Sequence, residues 1–453
     1  MLPSLSKSKF QYGLQCLKRL YLQCYRPELA DPVDQAQQAI FDTGSAVGEF
    51  ARQRFPNGRL IEETYAEHGQ AVRTTETLLA DAKVPPLYEA AFTFEDINTR
   101  VDILKRSEGQ GFDLVEVKSS TQAKPEHVTD VAIQMHVVEG AGTPISRAYL
   151  MHLNRDYVYQ GGDHDLDCLF TLEDVTSRAR AFIDEHVPND LSRMWMALQE
   201  SSPPDIEIGP HCKKPYRCSF YGHCHQDEVG QTKAAFTSPN LKTSLEEISF
   251  PASFLDFETF NPAIPLYIGT SPYQVIPFQW SLHVLDSSGE INHHSFLNGN
   301  AEDPRKNFIV SLLRAIPADG AIVVYSPYER TVLRGLAQAF PDYKNRLLAL
   351  CDRMIDLLKL LRENYYHPGI GGSYSLKSVA PILAPHLIYA DLNIRDGGAA
   401  SAQYAGMIAD DAHERDKAKT RKDLLAYCAR DTEALVHVYK ALIAEAGAAR
   451  ARS

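Results

Sequence analysis

The stretch Thr99–Ser119, TRVDILKRSEGQGFDLVEVKS, reads as two strands around a turn. Residues 99–106 and 112–118 are rich in branched apolar residues, and the polar, glycine-containing SEGQG between them is a hairpin loop signal. Glu116 and Lys118 are two apart, so a strand projects them from one face, and Asp102 on the partner strand can face them across the pair. An acid-x-lysine pair with a second acid one strand away suits metal-dependent phosphodiester hydrolysis. The carboxylates would hold Mg²⁺ or Mn²⁺, while the ammonium positions water and offsets developing charge. On a surface hairpin the same charges would simply face water. The segment HVTDVAIQMHVVEG that follows puts Asp130 and Gln134 four apart, on one face of a helix.

The set Asp102, Glu116, Lys118 resembles the PD-(D/E)XK nuclease core in the form found in RecB-type and CRISPR-associated iron-sulfur nucleases. Gln134 stands where that family carries Q-x-x-x-Y, with Val138 at the tyrosine position. The resemblance implies catalytic roles for Asp102, Glu116, Lys118 and Gln134, with Asp102 and Glu116 as metal ligands.

At 453 residues the chain is too long for one ordinary core, and two to four domains are expected. No apolar run reaches the roughly 18 residues of a membrane helix, and MLPSLSKSKF has no apolar signal core; a cytoplasmic protein without a membrane partner is expected. A net charge of −12 runs against a nucleic-acid partner, which usually leaves a basic surface. Local clusters would then do the steering. Lys7, Lys9, Lys18 and Arg19, and Lys213, Lys214 and Arg217, are candidates, each open to the reading of a solvated face.

Eight cysteines without a secretion signal point to metal or buried thiols rather than disulfides. Cys24, Cys168, Cys351 and Cys428 stand alone and read as core residues. Cys212, Cys218 and Cys224 recur with five residues between successive members in PHCKKPYRCSFYGHCH. Residues 5–26 read as one amphipathic helix capped by Ser6 or Ser8, with Cys16 inside it. Its F-x-x-G-x-Q-C-x-K-R-L-Y-L run resembles the opening of iron-sulfur RecB-type nucleases. That resemblance joins Cys16 to Cys212, Cys218 and Cys224 around a 4Fe-4S cluster. By count alone four thiolates suit zinc equally, with His211, His223 or His225 as substitute ligands. The family usually has two residues between the first two cysteines of the trio, and a histidine where this chain has Gly48, beside the solvent-facing Glu49.

Helices are expected over 37–54, 68–82 and 172–198, with strands over 87–94 and 146–156. The polar stretch 226–248 reads as a boundary. Beyond it FPASFLDFETF is a strand presenting Asp256 and Glu258 on one face. AIVVYSPYERTVL is a buried strand running into a helix that carries Glu329, and DLLAYCARDTEAL puts Tyr427 and Asp431 at i and i+4. The three motifs resemble the DEDD exonucleases of the RNase H-like fold, tyrosine subclass, with Glu329 where aspartate is usual. The resemblance implies that Asp256, Glu258, Glu329 and Asp431 hold two Mg²⁺ ions and that Tyr427 orients the attacking water. Asp356 reads as a helix cap. The proline-rich loop 261–277 reads as packing over this second site or stacking on bases.

The expected fold is therefore α/β: a PD-(D/E)XK restriction-endonuclease-like domain over 1–235 with its four-cysteine cluster, then an RNase H-like domain over 248–453, a mixed central sheet flanked by helices. The expected activity is metal-dependent nuclease or exonuclease hydrolysis of DNA ahead of RNA, in repair, processing or defence, with helicases or other repair or defence proteins as partners. The competing reading is a catalytically impaired nucleic-acid-binding or scaffolding subunit.

Overall fold

A computed structural model of the chain describes residues 2–226, 234–387, 389–409 and 413–452. The protein is mixed α/β and divides into two compact units. One takes the first half of the chain together with Ala263–Tyr273; the other takes the remainder.

In the first unit β1 (Leu5–Ser6), β2 (Arg59–Leu60), β3 (Leu87–Phe94), β4 (Ile97–Arg106), β5 (Phe112–Lys118), β6 (Ile145–Leu153) and β7 (Phe170–Asp174) form one mixed sheet. Its order is β2-β3-β4-β5-β6-β7, with β1 alongside β4. The expected hairpin is β4–β5, antiparallel, with Leu104 opposite Leu114 and Ile103 opposite Val115; that register carries Asp102 opposite Glu116. β5 and β6 are parallel, so a crossover must join them, and helix Pro125–Gly140 supplies it. This helix is apolar almost all round, with Val128, Val131, Ala132, Met135 and Val138 buried, as a helix sunk in a core must be. Its buried polar residues, His127, Asp130 and Gln134, are the exceptions that need partners.

Three expectations are corrected here. Residues 5–26 are not one helix: Ser6 caps Lys7–Gln15, and Cys16, extended at φ −166° and ψ 120°, breaks the run before Leu17–Tyr25. Propensity favours continuity; the break redirects the Cys16 side chain. The expected helix 172–198 is β7 followed by Thr176–Glu185 and Val187–Gln199, split at His186, where Pro188 opens the second helix. Part of the loop 261–277 lies in the first unit, where Ala263, Ile264 and Tyr273 join a core with Tyr88, Val115 and Leu153.

The second unit holds β8 (Phe236–Thr237), β9 (Ala252–Phe260), β10 (Ile276–Leu285), β11 (Ile291–Leu297), β12 (Ile322–Val324), β13 (Met354–Asp356) and β14 (Tyr365–Tyr366). Five of these make a sheet ordered β11-β10-β9-β12-β13. β9 is antiparallel to β10 and parallel to β12. Helices pack on both faces, around two apolar clusters. The stretch expected as a boundary lies outside the described residues over 227–233; beyond them β8 pairs with β14, and helix Leu241–Glu246 buries Leu241 and Leu245. Asp356 caps helix Leu357–Asn364 by accepting from Lys359 N–H at 3.1 Å.

Candidate active sites

On the first sheet, Glu116 is the centre. It is 1% exposed and accepts from Lys118 Nζ at 2.6 Å, Gln134 Nε2 at 2.7 Å and, through its two oxygens, Lys7 Nζ at 2.9 and 3.0 Å. Lys118 also pairs with Asp130. Burial alone would raise the Glu116 carboxyl; Lys118 and Lys7 more than offset it and hold it below the ordinary range. Asp102 Oδ2 accepts from Val117 N–H at 2.7 Å. Burial, then the charge of Glu116, pushes Asp102 up to about 7. The structure thus brings Asp102, Glu116, Lys118 and Gln134 together, with Asp130 as the second carboxylate on the lysine.

Two further residues belong here. Lys7, expected only as a basic surface group, reaches Glu116 from 109 positions away; no local pattern could signal it. Glu89 is across β3–β4 from Asp102, at φ +58°, where the ladder between Tyr88–Ile103 and Ala90–Val101 is interrupted. A non-glycine residue rarely adopts that conformation, and its charge bears on Asp102. Gln134 Oε1 is buried without a partner among the described residues, an acceptor left for a cation or donor.

Cys16, Cys212, Cys218 and Cys224 line one pocket with Lys18 and Arg19. The chain break at Cys16 is what turns its thiol there. Cys218 Sγ accepts from Phe220 N–H at 3.4 Å, and Arg19, 9% exposed, carries a guanidinium charge that bears on Cys218 and Cys16. Gln15 Nε2 donates to the carbonyls of His211 at 2.6 Å and Tyr216 at 2.8 Å, pinning the cysteine loop to the first helix. Cys168 is exposed rather than a core residue.

In the second unit Asp256, Glu258, Glu329, Tyr427 and Asp431 line a cleft of about 410 Å³. Asp256 and Glu258 come from β9, Glu329 from the first turn of helix Tyr328–Ala339, and Tyr427 and Asp431 from helix Glu414–Arg452. Burial and mutual repulsion raise Asp256 and Glu258 well above the carboxylate range; burial takes Glu329 to about 7 and also raises Asp431. Glu329 Oε2 is buried without a partner among the described residues. Cys428, expected as core, is buried but within the site, its thiol 3.5 Å from Asp256 Oδ2. With Asp256 and Glu258 it offers ligand atoms all within 4.8 Å of one another.

Lys377, which no motif announced, donates to the Tyr427 hydroxyl at 2.7 Å, and Tyr389 OH donates to Asp431 at 2.8 Å. Burial and the charges of Asp431 and Glu258 push Tyr427 far up, so it stays a phenol. Its hydroxyl accepts from Lys377 and donates its own proton to Asp431.

These shifts fix a pH dependence. A carboxyl whose folded pKa lies above its unfolded value is destabilising once both states ionise, so stability of the metal-free second unit should fall from about pH 4.5 through 7. Glu329 alone, moving from 4.5 to about 7, contributes on the order of 3 kcal/mol. Thermal unfolding in EDTA should therefore show a lower Tm at pH 8 than at pH 5.5. Asp431→Asn should narrow that gap, and Mn²⁺ should raise Tm at pH 8 less in that variant than in the wild type.

Residues 253–375, which include Asp256, Glu258 and Glu329, match the family described as a domain of unknown function, DUF2779. No curated protein matches the chain. One solved structure, described as the crystal structure of SSO0001, is 12% identical over 50% of this chain and 87% of that one, with a TM-score of 0.25, a likeness too slight to carry an argument.

Proposed function

We propose that the protein is a metal-dependent nuclease with two active sites, a PD-(D/E)XK site in the first unit and a DEDD exonuclease site on an RNase H-like second unit. The observation that carries this is the gathering of Asp256, Glu258, Glu329 and Asp431 in one cleft with their carboxyls forced above the ordinary range. Buried like charges of this kind are costly unless a cation offsets them. The orphaned acceptors Glu329 Oε2 and Gln134 Oε1 fit such a cation in each site. A divalent ion held by these carboxylates would supply Lewis-acid stabilisation of the phosphoryl oxygens and a more acidic water. In the first site Lys118, fixed between Glu116 and Asp130, is placed to orient water and offset charge on the phosphate. In the second, Lys377 and Asp431 fix the Tyr427 hydroxyl among the carboxylates, where it would orient the attacking water once an ion occupies Asp431.

The four thiols are read as ligands of a 4Fe-4S cluster. The preference for iron rests on the resemblance of the Cys16 run to iron-sulfur RecB-type nucleases; by count alone the four thiols suit zinc equally.

One observation favours the competing, impaired reading for the first site: Lys7 engages both oxygens of Glu116, where a metal would bind. If Lys7 competes with the ion, Lys7→Ala should bind Mn²⁺ more tightly than the wild type.

The direct test is incubation of the full chain with labelled single- and double-stranded DNA and RNA, with Mg²⁺, Mn²⁺ or EDTA. Metal-dependent mononucleotide release should fall a hundredfold or more, about the loss of one charge-stabilising group, in Asp256→Ala. Tyr427→Phe, which keeps every carboxylate, should be milder. The remaining cleavage should disappear when Lys118→Ala is added. Full activity in the double variant, or none in the wild type, contradicts the reading. Protein purified without air should be brown and contain about four irons per chain; stoichiometric zinc without iron contradicts the cluster.

A further inference from the structure

Beside Lys118 the first unit opens a second cleft, of about 560 Å³, lined by Lys118, Lys124, Arg155, Tyr216 and Tyr273 among others. In a chain of net charge −12, this cleft is lined by Lys118, Lys124 and Arg155; Lys118 is paired with Glu116 and Asp130, which leaves Lys124 and Arg155 as the cations facing it. The clusters expected to steer phosphates do other things: Lys7 is on Glu116, Lys18 and Arg19 line the cysteine pocket, and Lys213 and Arg217 sit over the Tyr221 ring.

The aromatic wall is held in place. Tyr216 is 52% exposed, yet its carbonyl is fixed by Gln15 at 2.8 Å and its hydroxyl by Glu126, while Lys124 Nζ stands 5.9 Å from its ring centroid. Tyr273, at φ +59°, donates its hydroxyl to the Ser119 carbonyl; that uncommon backbone conformation fixes it beside the end of β5. His127, kept neutral by burial and by Lys118 with its pKa lowered to about 4, accepts the Lys124 N–H on Nδ1 at 3.3 Å. The proton of its ring is therefore on Nε2. Fixed aromatic faces flanked by cations are the arrangement that binds single-stranded nucleic acid, bases on rings and phosphates on ammonium and guanidinium groups.

We propose that this cleft binds a single-stranded polynucleotide, with phosphates on Lys124 and Arg155 and a base stacked on Tyr216, and leads it to Lys118. The proposal deepens the nuclease reading of the first site and rests on it for what happens at Lys118. It also links the cysteine loop to the substrate, since residues 212–224 carry Tyr216 and whatever ties the four thiols together also sets the stacking face.

The test is fluorescence anisotropy of labelled oligothymidylate on the full chain in EDTA, where nothing is cleaved, across a salt series. The wild type should bind the single strand more tightly than a blunt duplex. Tyr216→Ala should weaken binding about tenfold, the loss of one stacked base, and Tyr216→Phe should restore it. The surface pair Lys124→Ala/Arg155→Ala, which removes two phosphate contacts, should flatten the slope of log K against log salt by about 1.4. Wild-type affinity and slope in all these variants would overturn the proposal. So would equal competition by polyglutamate, which would mean a polyanion surface without base stacking. Cleavage in Mn²⁺ separates the two readings: variants that cleave and bind normally refute the cleft alone, whereas cleft-dependent binding without cleavage by any form refutes the nuclease and leaves the cleft standing.

Discussion

Glu116 and the ammonium groups around it are the interaction on which the first unit turns. A carboxylate this buried is tolerable only with partners, and its partners come from three places: β5 itself through Lys118, the crossover helix through Gln134, and the start of the first helix through Lys7. Each fixes an element against the sheet. The parallel β5–β6 pair demands a crossover, and the crossover brings the two polar residues that satisfy the strand's acid and its lysine.

The second unit handles the same chemistry with the opposite balance. Four carboxylates meet with Lys377 as the cation that lines their cleft. Their raised pKa values follow from burial and from one another, so protons occupy the site at low pH and a cation is wanted at high pH. A site built this way is poised for an ion in a way that the lysine-saturated Glu116 is not. The two units therefore differ in how readily each should take up metal, and Lys7 is the residue that sets the difference.

How much of this was legible depended on the range of the interaction. The hairpin, Asp102, Glu116 and Lys118 follow from a period of two and a glycine-bearing turn, and Gln134 from a period near four on one helix. Asp256, Glu258, Tyr427 and Asp431 were equally local patterns. Lys7, Glu89 and Lys377 were hidden because a long-range contact or an unusual φ leaves no periodic trace. The break at Cys16 was hidden because the surrounding residues favour a helix, and local propensity does not register a single extended residue. Cys428 was misread because a buried thiol beside a carboxylate has the sequence surroundings of any core cysteine. The cleft at Tyr216 joins residues from five separate stretches of chain, and composition pointed away from it.

The central claim, that both carboxylate clusters are cation sites, is tested most directly by Mn²⁺ titration of the metal-free protein at pH 8, read as loss of the free-ion paramagnetic resonance signal. The account predicts binding by the wild type, strongest at the second unit, with Asp256→Asn/Asp431→Asn removing that component and Glu116→Gln removing the remainder. Identical Mn²⁺ uptake by the wild type and by the combined variant, or no uptake by either, would contradict it.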